Sequence, residues 1–540
     1  MNVIPNNTVP PTSKTPIATD RSGKKVYSTH PQFDERVHEW TIIRDAVNGE
    51  RAIKAKGETY LPRPNPEDKS KEATARYLQY LARAVWFNAT GRTLEGMVGY
   101  VFRKDSEVKL TPRLELIKSN IDGTGQTLEQ LAKLMLARVL SYGRTGLLAD
   151  YPKLPDGKMV VTIKDLDEGQ IRPKIVSYSP FKIRNWRTTE IGARAVLSMI
   201  CLEEEYAVDD DGFGSDTACQ YRVLRLDTSN QASPIYSVEI WRKEDAGEVW
   251  SIIDGYPITP VDSTGKPLKE IPFVFVGWQE NTPTPNSAPL YDMASVNVHH
   301  YMVSADYHEA VFLVGQPTPV FSGLTKDWVK DVFPKGTIAL GTRAAIPLPS
   351  NATAMLLQAA PNTMAKEAMD ALEAKMIALG SQLVQQTNIQ KTATEERNNQ
   401  TKTTGVLSSS AKNVSDALTM ALKMAGLFIG EVDDSTDNSK ISYQLNTDFD
   451  LADMTAQERQ QLLAEWQGDG ITTEEYRHIM VTAGIATMPF EEYKDALEAD
   501  KALFPDPLPG TVVDPATGKP VPAATKAPAK QDPQKPEPQA

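Results

Sequence analysis

Three histidines, His299, His300 and His308, crowd one segment of the chain, and a carboxylate-rich run, Asp209-Asp210-Asp211-Gly212-Phe213-Gly214, marks another. Zinc chemistry on a helix needs a His pair one turn apart with a carboxylate converging on it, and positions 299, 300 and 308 do not supply that spacing. Packing, including packing across a subunit contact, is the reading that remains for them. A calcium loop needs ligands at alternating positions, but Ala207 stands two residues before Asp209, so the acidic run reads as a solvated hairpin. Thr264-Gly265-Lys266 and Thr517-Gly518-Lys519 echo the end of a phosphate-binding loop, yet each precedes Pro and lacks the earlier Gly. In Gly143-Arg144-Thr145-Gly146 the glycines follow a helix and precede a strand, the reverse of a phosphate cradle, and predict a helix C-cap. The sequence has no HExxH, CxxC, GxSxG or GxGxxG pattern. No cofactor, metal or catalytic set is expected, and the chain reads as non-enzymatic.

Composition narrows the class further. The 540 residues allow several domains and a large core; 40% are hydrophobic and 24% charged, a globular composition. The formal net charge of −12 argues against a chain that binds nucleic acid broadly, because such binding rests on Lys and Arg neutralising phosphates. Cys201 and Cys219 are too few for a disulfide framework and read as half-buried thiols in a reducing setting. Neither a secretory signal nor a membrane span is expected, since the most apolar helix, 418–429, is interrupted by Lys423 and preceded by Asp416.

The stretch 362–430 organises the remainder. Leu372, Met376, Leu379 and Leu383 recur at helical spacing, as do Leu407, Ala411, Val414, Leu418, Ala421, Ala425 and Phe428. Two long amphipathic helices are predicted, joined by a polar segment without Gly or Pro. Earlier, helices are predicted at 32–48, 67–91 with a shorter segment on to 102, and 127–142, and a further long one at 288–313 with Leu290, Ala294, Asn297, Tyr301, Ala305, His308 and Phe312 inward. Between 158 and 278 the period shortens to strands at 159–163, 174–178, 195–202, 221–226, 236–242, 249–253 and 272–278, which read as one antiparallel sheet. The segment 315–361 reads as a small α/β insert with strands at 318–321, 337–340 and 344–348 and a helix at 326–333. A strand at 441–445 and helices at 455–467 and 473–484 follow, the last started by Thr472-Thr473-Glu474-Glu475. Residues 505–540, rich in Pro, Ala, Lys and Thr, read as a disordered tail. The fold class is α+β.

The order of these parts resembles a tailed-bacteriophage portal protein, of the portal-like group long catalogued without a function. The resemblance spans about 32–499. It is carried by Leu94-Glu95-Gly96-Met97-Val98-Gly99-Tyr100-Val101-Phe102-Arg103-Lys104, Asn120-Ile121-Asp122-Gly123, the run from Tyr142 through Pro152, Ser304-Ala305-Asp306-Tyr307, Gly315-Gln316-Pro317-Thr318-Pro319 and Thr392-Ala393-Thr394-Glu395. None of these is a catalytic motif; order and spacing carry the likeness.

The resemblance implies a portal-like fold: a flexible N-terminal arm (1–30), a β-rich wing (31–287), a first stem helix (288–314), a clip (315–361) and a second stem helix (362–384). After these would come a tunnel loop (385–394), a spine helix (395–430), a C-terminal wing and crown (431–504) and a Pro-rich tail (505–540). The loop would comprise Gln385, Gln386, Thr387, Asn388, Ile389, Gln390, Lys391, Thr392, Ala393 and Thr394, and the clip would make contacts through Lys326, Trp328, Lys330 and Arg343. Implied partners are further copies in a ring, typically of twelve, together with the large terminase subunit, a head–tail adaptor, major capsid and scaffolding proteins, and double-stranded DNA passing through. The location implied is the virion vertex, with the host cytoplasm during assembly. Lys391 and Lys402 could touch phosphates in passing or could simply be solvated. The readings held beside it are another virion structural protein, a sequence-independent DNA-binding scaffold and an enzyme without a recognisable motif.

Overall fold

The computed structural model describes residues 25–503 except 152–171, 244–248, 316–317, 333–347, 358–362, 385–404, 433–439, 448–455 and a few positions between 211 and 489. Beyond 503 it describes residues 511–513 and 520–522. Residues 1–449 and 450–540 form two units.

The first unit begins with helices α1 (Pro31–Asn48), α2 (Glu50–Ala55), α3 (Lys71–Arg83) and α4 (Ala89–Val101), then strand β1 (Glu107–Lys109) and the short helix α5 (Leu116–Ser119). Next come α6 (Leu128–Tyr142), β2 (Arg144–Asp150), β3 (Lys174–Tyr178), β4 (Ile183–Ile191), β5 (Arg194–Asp210), β6 (Ser215–Asp227), β7 (Ile235–Lys243), β8 (Trp250–Ile252) and β9 (Phe273–Gly277). The chain continues through α7 (Tyr291–Val314), β10 (Thr318–Ser322), α8 (Lys326–Val332), β11 (Thr353–Leu357), α9 (Met364–Val384), α10 (Val406–Ile429) and β12 (Ser442–Gln444).

The helix expected over 67–91 is in fact two helices, α3 and α4, because α7 offers the intervening backbone better partners than another helical turn would. Ser304 Oγ accepts from the Val85 N–H (3.2 Å) and donates to the Val85 carbonyl (2.8 Å). Asn297 donates to the Phe87 carbonyl (2.7 Å) and accepts from the Thr90 N–H (3.1 Å) and hydroxyl (2.9 Å). Asn88 then caps α4 by accepting from the Gly91 N–H. Both α7 side chains are buried, so their polar groups are satisfied only by this broken segment.

Two antiparallel sheets replace the single one expected. Strands β3-β2-β9 form one sheet and β4-β5-β6-β7-β8 the other, with β4 absent from the sequence reading. A half-buried polar joint fastens them. Arg222 on β6 reaches both carboxylate oxygens of Asp150 on β2 (3.1 Å) and Glu204 on β5 (2.8 Å), and the Tyr178 hydroxyl on β3 donates to Glu204 (2.5 Å). Burial raises the Asp150 carboxyl above its ordinary range, with the Arg222 charge opposing the rise.

Helix α6 starts in a capping box between Thr127 and Gln130 and stops at Gly143, whose φ of 71° is left-handed, as the Gly-Arg-Thr-Gly reading requires. Helix α10 lies across β2, β3 and β9 beside α6, and all seven apolar residues of its expected seam are buried. Polar contacts set its position: Asn413 donates to the carbonyls of Gly277 (2.9 Å) and Trp278 (3.0 Å), and Tyr151 donates to that of Met424 (2.6 Å).

Several boundaries shift. Residues 25–30, assigned to the flexible arm, lie on β4 and β5, where the Ser28 carbonyl accepts from Asn185. Strand β12, from the region read as C-terminal wing and crown, pairs with β1 and lies in the first unit. Helix α7 emerges from the core near Asp306, leaving Phe312 exposed instead of inward. In the second unit α11 (Ala456–Gln467), α12 (Thr473–Thr482) and an unexpected α13 (Phe490–Leu503) follow one another. Thr472 and Glu475 form the anticipated capping contacts at the start of α12. The tail read as disordered contains a strand pair, β13 (Thr511–Val513) with β14 (Pro520–Pro522); the β-branched Thr-Val-Val triplet favours extended backbone locally, whatever the surrounding Pro-rich composition.

Replacing Asn297 with Ala should lower the free energy of unfolding by about 3 kcal/mol, because it orphans backbone groups at Phe87 and Thr90. Urea denaturation measures this; a loss under about 0.5 kcal/mol would mean that water can replace the amide.

Candidate assembly surface

Helices α7 and α9 run antiparallel. His300 Nε2 sits 3.2 Å from Glu373 Oε1, and at the other end a Cβ on Gly380 would stand 3.2 Å from Met293 Cε, so glycine permits the close approach. On a different side of α7, α3 is fastened by polar contacts: Tyr80 donates to Asp306 (2.6 Å), and Arg83 pairs with Glu309 while its guanidinium lies 4.2 Å from the Phe312 ring. Burial, and then the Asp306 hydrogen bond, push the Tyr80 phenol well above its ordinary value, so it stays a donor. Burial also pushes the Tyr301 phenol up to about 12.

Between the broken segment, α4 and α9 lies an open groove of about 560 Å³ lined by Phe87, Asn88, Arg92, Gly96, Met97, Glu373, Met376, Ile377 and Gly380, among others. Its floor is Met376, 2% exposed; its flanks are Phe87, 45% exposed, and Ile377, 74% exposed. A Cβ at Gly96 would meet nothing within 4 Å, although glycine inside a helix costs about 1 kcal/mol relative to alanine. The surface can accept apolar side chains from another molecule.

The expected tunnel-loop residues, Gln385 through Thr394, lie outside the described residues, as do Lys402 and the start of the spine at 395–404. The segment is bracketed by the end of α9 and the start of α10. Of the clip residues, Lys326, Trp328 and Lys330 fall on α8, while Arg343 is outside the described residues, and so are the expected strand 337–340 and all but the last residue of 344–348. The insert does have β10 and α8 as expected. It also has β11, which was not anticipated, paired antiparallel with β10 so that Val320 and Met355 face each other, both exposed. Of the three histidines, only His300 is buried; its ring centroid lies 5.5 Å from that of Phe87. The groove itself was missed. Asn88, an N-cap residue type three positions before Gly91, was the local sign that a new helix starts there.

Residues 289–429 match a family model described as a domain of unknown function, DUF4055. No curated protein matches the chain. Among solved structures, the chain is similar to one from the neck of an empty gene transfer agent (GTA) particle computed with C6 symmetry, at 14% identity, covering 74% of this chain and 90% of that one with a TM-score of 0.38. A structure from the neck of the native GTA particle computed with C12 symmetry gives 14% identity, 73% and 89% coverage and a TM-score of 0.37. One from the virion of the native particle gives 15%, 80%, 98% and 0.36. The family match covers less than half of the chain.

Ile377→Glu should change monomer stability by no more than about 0.5 kcal/mol, because the side chain is exposed, yet weaken self-association. Met376→Glu, one residue away, should cost about 3 kcal/mol or more by burying a charge. Denaturation and sedimentation of both variants give the comparison; equal loss of stability in the two would place Ile377 in the core.

Proposed function

We propose that this chain is a portal subunit of a tailed-phage-like particle, assembling into a ring through which double-stranded DNA is packaged and later ejected. In this reading it is a structural part rather than an enzyme. The observation that carries it is the antiparallel pair α7 and α9, with the insert 315–361 between them in the chain and the buried helix α10 following α9. That arrangement matches the stem, clip and spine order implied by the motifs along the chain. The pair would line the conduit, α8 and the β10–β11 ladder would meet the motor and then the adaptor, and 385–394 would face the DNA.

Physical chemistry supports the reading at two further points. A closed ring needs a head-to-tail contact between unlike faces of the same chain, and the groove flanked by Phe87 and Ile377 is an apolar surface that a neighbouring copy would cover. A conduit must also release its cargo: a net charge of −12 suppresses the counterion-release affinity through which basic surfaces hold DNA.

Sedimentation of the purified chain should give a species near about twelve times 59.5 kDa, with a central opening in negative-stain images. A monomer at all concentrations would overturn the proposal, and tight duplex binding that falls steeply with salt would favour a DNA-binding scaffold instead. Removing 386–393 should leave the ring mass unchanged and impair DNA packaging or retention. Loss of the ring would assign that segment to a subunit contact.

A further inference from the structure

Residues 25–30 form a strap over β4 and β5, independent of the groove and the helix pair. The Val26 carbonyl accepts from the Cys201 thiol (3.4 Å), the Ser28 carbonyl from Asn185 Nδ2 (2.9 Å), and the His30 N–H donates to the Arg184 carbonyl (2.9 Å). Val26 and Tyr27 pack on a second apolar cluster made by Cys201, Tyr221, Val223, Trp241 and Trp250. At the end of the strap the His30 ring stacks on Trp186, with centroids 3.9 Å apart and planes at 17°. The same indole carries the guanidinium of Arg144 at 4.0 Å, and Phe275 lies 4.4 Å from that guanidinium.

Arg144 is 2% exposed, and none of its three side-chain nitrogens has a hydrogen-bond acceptor among the described residues. A buried cation without a partner is costly, and the two aromatic faces supply only part of what water would. Burial accordingly pulls this guanidinium down to about 9. His30 meanwhile accepts a hydrogen bond at Nδ1 from the Gln32 N–H (3.2 Å), capping α1. That bond fixes the neutral tautomer with its proton on Nε2.

We propose that His30 is an acid-operated latch: neutral, it docks the strap; protonated, it turns its capping nitrogen into a donor, adds a second cation beside the Arg144–Trp186 pair, and releases residues 25–30 from the sheet. The charged groups facing it are Arg187 on β4, Arg144 on β2, and Asp34 and Glu35 on α1. Burial, and after it Arg187 and Arg144, hold the imidazole below 6.5, against the two carboxylates. The Asp34 carboxylate is already engaged by the Thr29 hydroxyl (2.8 Å).

The sign follows from linkage. A docked His30 with its pKa below 6.5 binds fewer protons than a released one, so docking is complete above 6.5 and weakens as pH falls through it. One proton limits the slope to about tenfold in the docking equilibrium per pH unit.

Chymotryptic cleavage after Tyr27 reads release directly, because docking packs that side chain on the sheet. In the full-length protein between about pH 8 and about pH 5, the cleavage rate relative to His30→Asn should climb on acidification. That variant keeps a capping oxygen, cannot titrate, and corrects for the protease's own pH dependence. Arg144→Met should shrink the climb, because losing a cation brings the docked imidazole closer to its released value, and so should Arg187→Gln, an exposed change that leaves the core intact if Arg144→Met does not fold. A flat ratio, or a climb that Arg187→Gln leaves undiminished, would overturn the latch.

Discussion

Two polar side chains on one helix, Asn297 and Ser304, govern much of the first unit. Each is buried and each bonds to main-chain groups far away in sequence, which forces residues 84–88 to leave helical geometry. That break separates α3 from α4, holds Phe87 at the surface with nearly half its area exposed, and opens the groove against α9. A continuous helix would have satisfied the same backbone locally and left Asn297 with an unpaired amide, a more costly arrangement.

Polar joints recur wherever two layers meet. The Arg222 fork links the sheets, Asn413 ties α10 to the end of β9, and Tyr80 with Arg83 ties α3 to α7. Hydrophobic burial supplies the bulk of the stabilisation but is non-directional, so these bonds decide how the layers are aligned. Arg144 is the exception, a charge retained among aromatic rings with nothing to pair with among the described residues.

Much of this was legible in the sequence. Period 3.6 located α1, α6, α7, α9 and α10, and the seam of α10 is buried residue for residue, because an amphipathic face and a core are the same thermodynamic statement. Capping chemistry gave the C-terminal end of α6 and the start of α12. What escaped was set by partners distant along the chain: the break at 84–88 depends on Asn297 and Ser304, and β4 carries Trp186 and Asn185 for contacts with Arg144 and the strap. Hydropathy over 315–361 favoured strands after α8 but missed β11, whose ladder depends on its partner β10. The groove arises from three separated segments, and only Asn88 hinted at it.

The pairing of β1 with β12 also bears on how the chain reaches its native state. Residues 107–109 find their ladder partners only at 442–444, so the intervening chain is synthesised before that closure is possible. Contacts of such long sequence separation make folding slow, and during translation the apolar faces awaiting α10 stay open to solvent. Nascent chains should therefore depend on chaperones until residue 444 has left the ribosome.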